Sequence, residues 1–120
     1  MYTILVVDDD EQISDLISVV CRPLPVKIIT ALTGVEGLEM AKEHLPAVMV
    51  VDLLLPGQIN GWETIQMMQS DVQLRNIPVI VLTATGAALD QDSGDARYVA
   101  FFKKPFAPKE LRDCIQQYLR

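Results

Sequence analysis

Two cysteines and a single histidine among 120 residues leave this chain without the raw material for a disulfide framework or a zinc constellation. Cys21 and Cys114 both fall inside apolar helical patterns and read as free thiols in a core. His44 stands near the end of a helical stretch just before Pro46, where a solvated imidazole beside a helix C-terminus accounts for it without a chemical role. No signal peptide and no apolar run long enough for a bilayer is present, so the expected location is the cytoplasm, with no membrane partner. Internal repeats, low-complexity tracts and linkers are absent too. An excess of basic charge is also missing: the net charge is -6, which disfavours nucleic acid as a direct ligand because phosphate binding needs a basic surface.

What is present is apolar material in quantity, 50% of the residues, in a chain the size of one domain, so residues 1–120 are expected to form a single unit. Strands and helices alternate along it. The first strand is expected from Thr3 to Asp8, and a helix follows in which Ile13, Leu16, Ile17 and Val20 recur at helical spacing until Pro23 and Pro25 stop it. A second strand runs from Val26 to Thr30. Thr33 and Glu36 have the spacing of a capping box, opening a helix through Leu38, Ala41 and Leu45 that Pro46 ends. A third strand spans Ala47 to Asp52, and after the turn residues Pro56, Gly57, Asn60 and Gly61 a third helix runs from Trp62 through Ile65 and Met68 towards Val72. The fourth strand is expected at Pro78 to Thr83. Residues 87–97 are rich in poor helix formers and predict only a short fourth helix. Tyr98 to Phe102 reads as a fifth strand, and Pro108 at a first helical position opens a last helix through Leu111, Ile115 and Leu119. This alternation predicts an α/β fold, a doubly wound five-stranded parallel sheet with helices on both faces.

In such a sheet ligands sit outside the carboxyl ends of the strands. The run Met49-Val50-Val51-Asp52 drives an apolar strand into a lone acid, and an acid there is also compatible with a plain turn or a helix cap. Three more strands end in polar groups: Asp8 and Asp9 after the first, Thr83 after the fourth, and a lysine from Lys103-Lys104-Pro105 after the fifth. Carboxylates converging in one pocket resist joint ionisation, so the group demands a shared proton or a cation. A hard divalent ion with oxygen ligands is the better answer, and Mg2+ suits one or two carboxylates, waters and a phosphate oxygen.

The segments Ile4 to Asp10, Val51 to Gly57 with Gly61, Val81 to Ala84 and Lys103 to Phe106 resemble, in order and spacing, the receiver domain of two-component response regulators. The resemblance covers essentially the whole chain. It implies a flavodoxin-like strand order 2-1-3-4-5, and it implies that Asp52 accepts a phosphoryl group from the phosphohistidine of a sensor histidine kinase or histidine phosphotransfer protein. Further implications are Mg2+ held by Asp9, Asp52 and the Leu54 carbonyl, with Asp8 reaching it through water. Thr83 through its hydroxyl and Ala84 through its amide would contact the phosphoryl oxygens, and Lys104 would pair with them. A cis bond between Lys104 and Pro105 and control of an output domain or partner protein complete the set.

Three features depart from the family pattern. The span from Asp52 to Gly61 is one residue longer than the commonest form, residues 91–95 lack an apolar helical pattern, and Phe101 stands where tyrosine is frequent. Phe101 is read either as a switch aromatic that turns with Thr83 or as a static packing residue. Two rival readings stand beside the phosphoacceptor. Val6-Val7-Asp8-Asp9-Asp10 also fits the opening of haloacid-dehalogenase-like phosphatases, with Asp8 as nucleophile, although Glu11-Gln12 departs from that family. The other is a degenerate receiver that only binds a partner. In the phosphoacceptor reading the chain is no turnover enzyme beyond its own phosphorylation and dephosphorylation.

Overall fold

The computed structural model describes residues 1–84 and 97–119. Its strands are β1 (Tyr2–Val7), β2 (Val26–Ala31), β3 (Val48–Asp52), β4 (Val79–Thr83) and β5 (Ala100–Lys103), and its helices are α1 (Glu11–Val20), α2 (Gly34–His44), α3 (Gly61–Gln69) and α4 (Pro108–Gln117). The five strands pair in the order β2-β1-β3-β4-β5, every pair parallel. This is the doubly wound sheet expected from the alternation. The short helix expected at residues 87–97 falls, except for Arg97, outside the described residues.

Strand periodicity divides the core in two. In β1, Leu5 and Val7 point to a cluster with Met49, Val51 and Val81 that is covered by Ala41 of α2 and by Trp62, Ile65 and Met68 of α3. Ile4 and Val6 point the other way, to Val48, Val50, Ile80 and Leu82 under Ile17 of α1 and Leu111 and Ile115 of α4. β3 and β4 are buried along their whole length, as their unbroken apolar runs require of central parallel strands. Each fully buried Val, Leu or Ile contributes about 1.5–3 kcal/mol, so a polar group is tolerated here only where a strand runs out.

Local chemistry sets the element ends. Asp10 caps α1 by accepting the Gln12 amide at 2.9 Å. Thr33 caps α2 by accepting the Glu36 amide at 3.1 Å. The full reciprocal box lies in α3, where Asn60 Oδ1 accepts from the Glu63 amide at 2.9 Å and Glu63 Oε1 accepts from the Asn60 amide at 3.0 Å. Leu45 ends α2 in the left-handed region, φ 45°, just before Pro46. Every strand differs from the sequence expectation by one or two residues at one end or both, and two of these ends have a plain local cause. β1 closes at Val7, although the Asp8 amide still donates to Ala31 O at 3.0 Å, and β5 begins at Ala100 because Tyr98 precedes its first ladder partner.

Candidate active site at the carboxyl edge of the sheet

The chain winds from β1 out to β2 on one side and back past β1 to β3 on the other, which opens a crevice between the carboxyl ends of β1 and β3. Val7 pairs with Val51, so the next residues, Asp8 and Asp52, emerge side by side. β4 brings Thr83 to the same edge, and Thr83 is the ladder partner of Lys103. The Lys104 amide donates to Thr83 O at 2.7 Å, continuing the ladder one step and turning the Lys104 side chain over the crevice.

Lys104 Nζ donates to Asp8 Oδ2 at 2.8 Å and to Asp52 Oδ2 at 3.2 Å. Asp8 is completely buried, Asp52 is 4% exposed and Thr83 is completely buried. The other oxygens of the two acids are held by backbone: Asp8 Oδ1 accepts the Asp10 amide at 2.9 Å, and Asp52 Oδ1 accepts the Leu54 amide at 3.0 Å. Asp9 is exposed, yet it offers an oxygen to the same cluster. One oxygen from each of Asp8, Asp9 and Asp52 lies within 4.8 Å of the others.

Burial raises the Asp52 carboxyl above the usual carboxylate range; the Asp8 charge adds to the rise, while the Leu54 amide and Lys104 work against it. For Lys104 burial alone favours the neutral amine, but the hydrogen bond to Asp8 and the charges of Asp52 and Asp8 win, and its pKa is raised. The cluster therefore holds one cation against three acids. That imbalance suits a second, harder cation.

The remaining residues singled out in the sequence are placed as follows. Ala84 is exposed immediately after β4, and Leu54 is exposed in the turn after Asp52. The Lys104-Pro105 peptide bond is cis. Lys103 is exposed and makes no contact with the cluster, so the ammonium in the crevice belongs to Lys104. Phe101 is half-buried in β5 and packs against the cluster under α2 and α3, away from the acids.

Sequence reasoning placed Gly57, Asn60 and Gly61 in a turn after Asp52 but did not show the way each of them shapes the rim. A Cβ on Gly61 would fall inside contact with Asp52 O and with the Leu53 backbone, and the Gly61 amide donates to Leu53 O at 3.1 Å. Only glycine lets α3 start this close to β3. Gly57 turns the intervening loop at φ 96°. Asn60, grouped with the turn residues in the sequence, is the α3 cap, and its spacing to Glu63 was the signal for it.

A family model described as the response regulator receiver domain matches residues 4–116. The chain belongs to that family. A curated relative, the DNA-binding dual master transcriptional regulator RpaA of Synechocystis sp. (strain ATCC 27184 / PCC 6803 / Kazusa), is 32% identical over all of this chain and 50% of its own length. The chain thus spans about half the length of the first curated relatives it matches. A crystal structure of a putative response regulator from Chloroflexus aurantiacus J-10-fl is 29% identical with a TM-score of 0.86, covering 98% of this chain and 96% of that one. The receiver domain of sensor histidine kinase PA1611 from Pseudomonas aeruginosa PAO1, solved with a magnesium ion in its active-site cleft, shares the fold at a TM-score of 0.83 and 24% identity, over 98% and 96% of the two chains. The strand order 2-1-3-4-5 implied by the sequence resemblance is the receiver order. Among the described residues no helix is long and apolar enough to cross a membrane.

Proposed function

We propose that Asp52 is the phosphoacceptor of this receiver, taking a phosphoryl group from the phosphohistidine of a sensor histidine kinase or histidine phosphotransfer protein. The observation that carries the reading is the Lys104 ammonium shared between Asp8 and Asp52 at the rim of the sheet, with Asp9 beside them. The donor set supports Mg2+ as the cofactor, because it consists of carboxylate oxygens with no thiol or imidazole among them. Asp9, Asp52 and the Leu54 carbonyl would hold the ion directly and Asp8 through water. When bound, the ion offsets charge on the transferring phosphoryl group.

The chain supplies the rest. An Asp52 oxygen attacks phosphorus, the bond from phosphorus to the donor imidazole nitrogen breaks, and its electron pair leaves with the imidazole. The Asp52 carboxylate is held for this by the Leu54 amide, which fixes the plane of the carboxyl group. Lys104, Thr83 and the Ala84 amide would take the phosphoryl oxygens. Thr83 and Phe101 would form the switch: Thr83 is drawn to the phosphoryl group, and the half-buried Phe101 ring turns into the space released. The output is an attached domain or a partner protein, and the 120 residues act as one cytoplasmic signalling unit rather than as an enzyme with an external product. DNA binding belongs to the relative RpaA by name; for this acidic module no direct nucleic-acid contact is proposed.

The test is to incubate the chain with acetyl phosphate and Mg2+ and to map acid-labile phosphate by mass spectrometry. Label on Asp52, lost in Asp52→Asn with the fold intact, supports the reading. Label on Asp8 would favour the phosphatase alternative. No label with any small donor would favour a receiver that only binds.

A further inference from the structure

At the opposite edge of the sheet from the three acids, where β4 begins, lies a cavity of about 280 Å3. Its floor is apolar and buried: Ile65 and Met68 of α3, Leu74 of the turn that follows, and Val79 of β4 are each 4% exposed or less. Tyr98 and Val99, which lead into β5, form its exposed side. The Val99 amide donates to Val79 O at 2.8 Å, so two of the walls are joined by the sheet itself and the cavity is built before any ligand arrives. Two charged residues line it, and both are arginines. Arg75 and Arg97 are exposed and take part in none of the ion pairs among the described residues. On a chain with 16 acids against 10 bases, no acid among the described residues borders this cavity.

We propose that this cavity binds a small apolar molecule carrying an oxyanion, a carboxylate or a phosphate. A concave apolar floor with a few polar groups beside it is the usual form of a small-molecule site. The apolar body leaves water for the buried floor, and the forked N–H donors of a guanidinium match the paired oxygens of the anionic head. Each half of the ligand is needed. A bare anion gives up the floor, a neutral analogue gives up the arginines, and a cation is repelled by both of them. The volume lies just under the range of about 300–1,000 Å3 usual for drug-sized ligands, so the body is of the order of one ring with a short chain. Tyr98 adds an aromatic wall that favours a planar body. None of the residues assigned to phosphoryl transfer lines this cavity, and the site does not depend on that assignment.

The experiment titrates the full chain with 3-phenylpropionate, in parallel with 3-phenylpropionamide, phenyl phosphate, inorganic phosphate and Nα-acetyl-phenylalanine, followed by amide NMR and by the fluorescence of Trp62. Trp62 is the single tryptophan and its ring lies 5.8 Å from that of Tyr98, so a body seated against Tyr98 should register there. The expected result is a saturable shift centred on Leu74, Ile77, Val79 and Val99 with phenylpropionate or phenyl phosphate, the tighter of the two identifying the oxyanion. The amide and inorganic phosphate should bind weaker by about tenfold or more. Arg75→Gln and Arg97→Gln should each weaken the anion severalfold and leave the weak binding of the amide unchanged, a split that altered packing alone would not produce. No saturable response, equal binding of the amide, or shifts confined to the crevice around Lys104 would each overturn the proposal. Tighter binding of Nα-acetyl-phenylalanine would also overturn it, by assigning the cavity to the end of a polypeptide.

Discussion

Replacing Lys104 by methionine keeps the length of the side chain and removes the charge that sits between two buried acids. Nζ lies 2.8 Å from Asp8 Oδ2 and 3.2 Å from Asp52 Oδ2, with the lysine side chain 16% exposed. At an effective dielectric of about 20 each attraction is roughly 5–6 kcal/mol, while two carboxylate oxygens no more than 4.8 Å apart repel by at least about 3.5 kcal/mol. Removing the ammonium therefore leaves repulsion and desolvation unopposed. The full sum will not appear, because Asp52 already leans towards protonation and can take up a proton instead. Loss of one partner of a buried pair costs about 3–5 kcal/mol, and the proton uptake places the expectation at the lower end, about 3 kcal/mol at neutral pH. For a domain of this size that lowers Tm by roughly 10 °C.

The pH dependence fixes the sign. In the variant the folded pKa of Asp52 rises further above its unfolded value, so the stability it contributes is present below the unfolded pKa and is lost as pH rises through the folded one. The gap between variant and parent should therefore narrow as pH falls towards the ordinary carboxylate range. Thermal and urea unfolding at several pH values, each with and without Mg2+, measure this, and Mg2+ should raise the variant's Tm more than the parent's. A loss below about 1 kcal/mol, or a gap that stays constant with pH, would refute the reasoning that Lys104 neutralises the two acids.

Three further outcomes are expected. Asp9→Ala should abolish most of the Mg2+-induced rise in Tm while leaving metal-free stability level or higher, because a ligand and a source of repulsion go together; undiminished Mg2+ affinity by calorimetry would remove Asp9 from the ligand set. Gly61→Ala forces a methyl group against Asp52 O and the Leu53 backbone and should cost about 1–3 kcal/mol in urea unfolding, with slower labelling of Asp52 by acetyl phosphate; a neutral result would show that the rim can give. Asn60→Ala removes the side-chain half of the α3 capping box, the bond accepted from the Glu63 amide, while the backbone N–H at position 60 can still donate to Glu63; it should cost about 1 kcal/mol, which chemical unfolding resolves.

The sheet was legible because its central strands carry unbroken apolar runs, and the site was legible because four of those runs end in Asp8, Asp52, Thr83 and Lys104. What composition alone left open was which lysine enters the crevice; the β4–β5 register decides it, since Thr83 pairs with Lys103 and the next residue turns inward. The requirement for glycine at position 61 was not legible. It arises from the distance between a helix start and a strand end far from each other in periodicity, and no local pattern carries that distance. The exact end of β1 was missed by one residue for a similar reason, because Asp8 keeps its ladder hydrogen bond to Ala31 while leaving the strand.

The bond from the Gly61 amide to Leu53 O ties off the stretch between them as a closed loop whose ends meet directly beneath Asp52. In chain-entropy terms such a loop lengthens at little expense: adding one residue to a loop of this size raises the closure cost by roughly 0.1 kcal/mol. Gly57 makes the turn inside this loop, at φ 96°, and the Gly61 amide closes it on Leu53 O at 3.1 Å. Residues 56–58 are exposed, so the same tie makes them a graft point, where a short peptide epitope or a reporter dye could be inserted a few residues from Asp52 while the carboxylate keeps its aim.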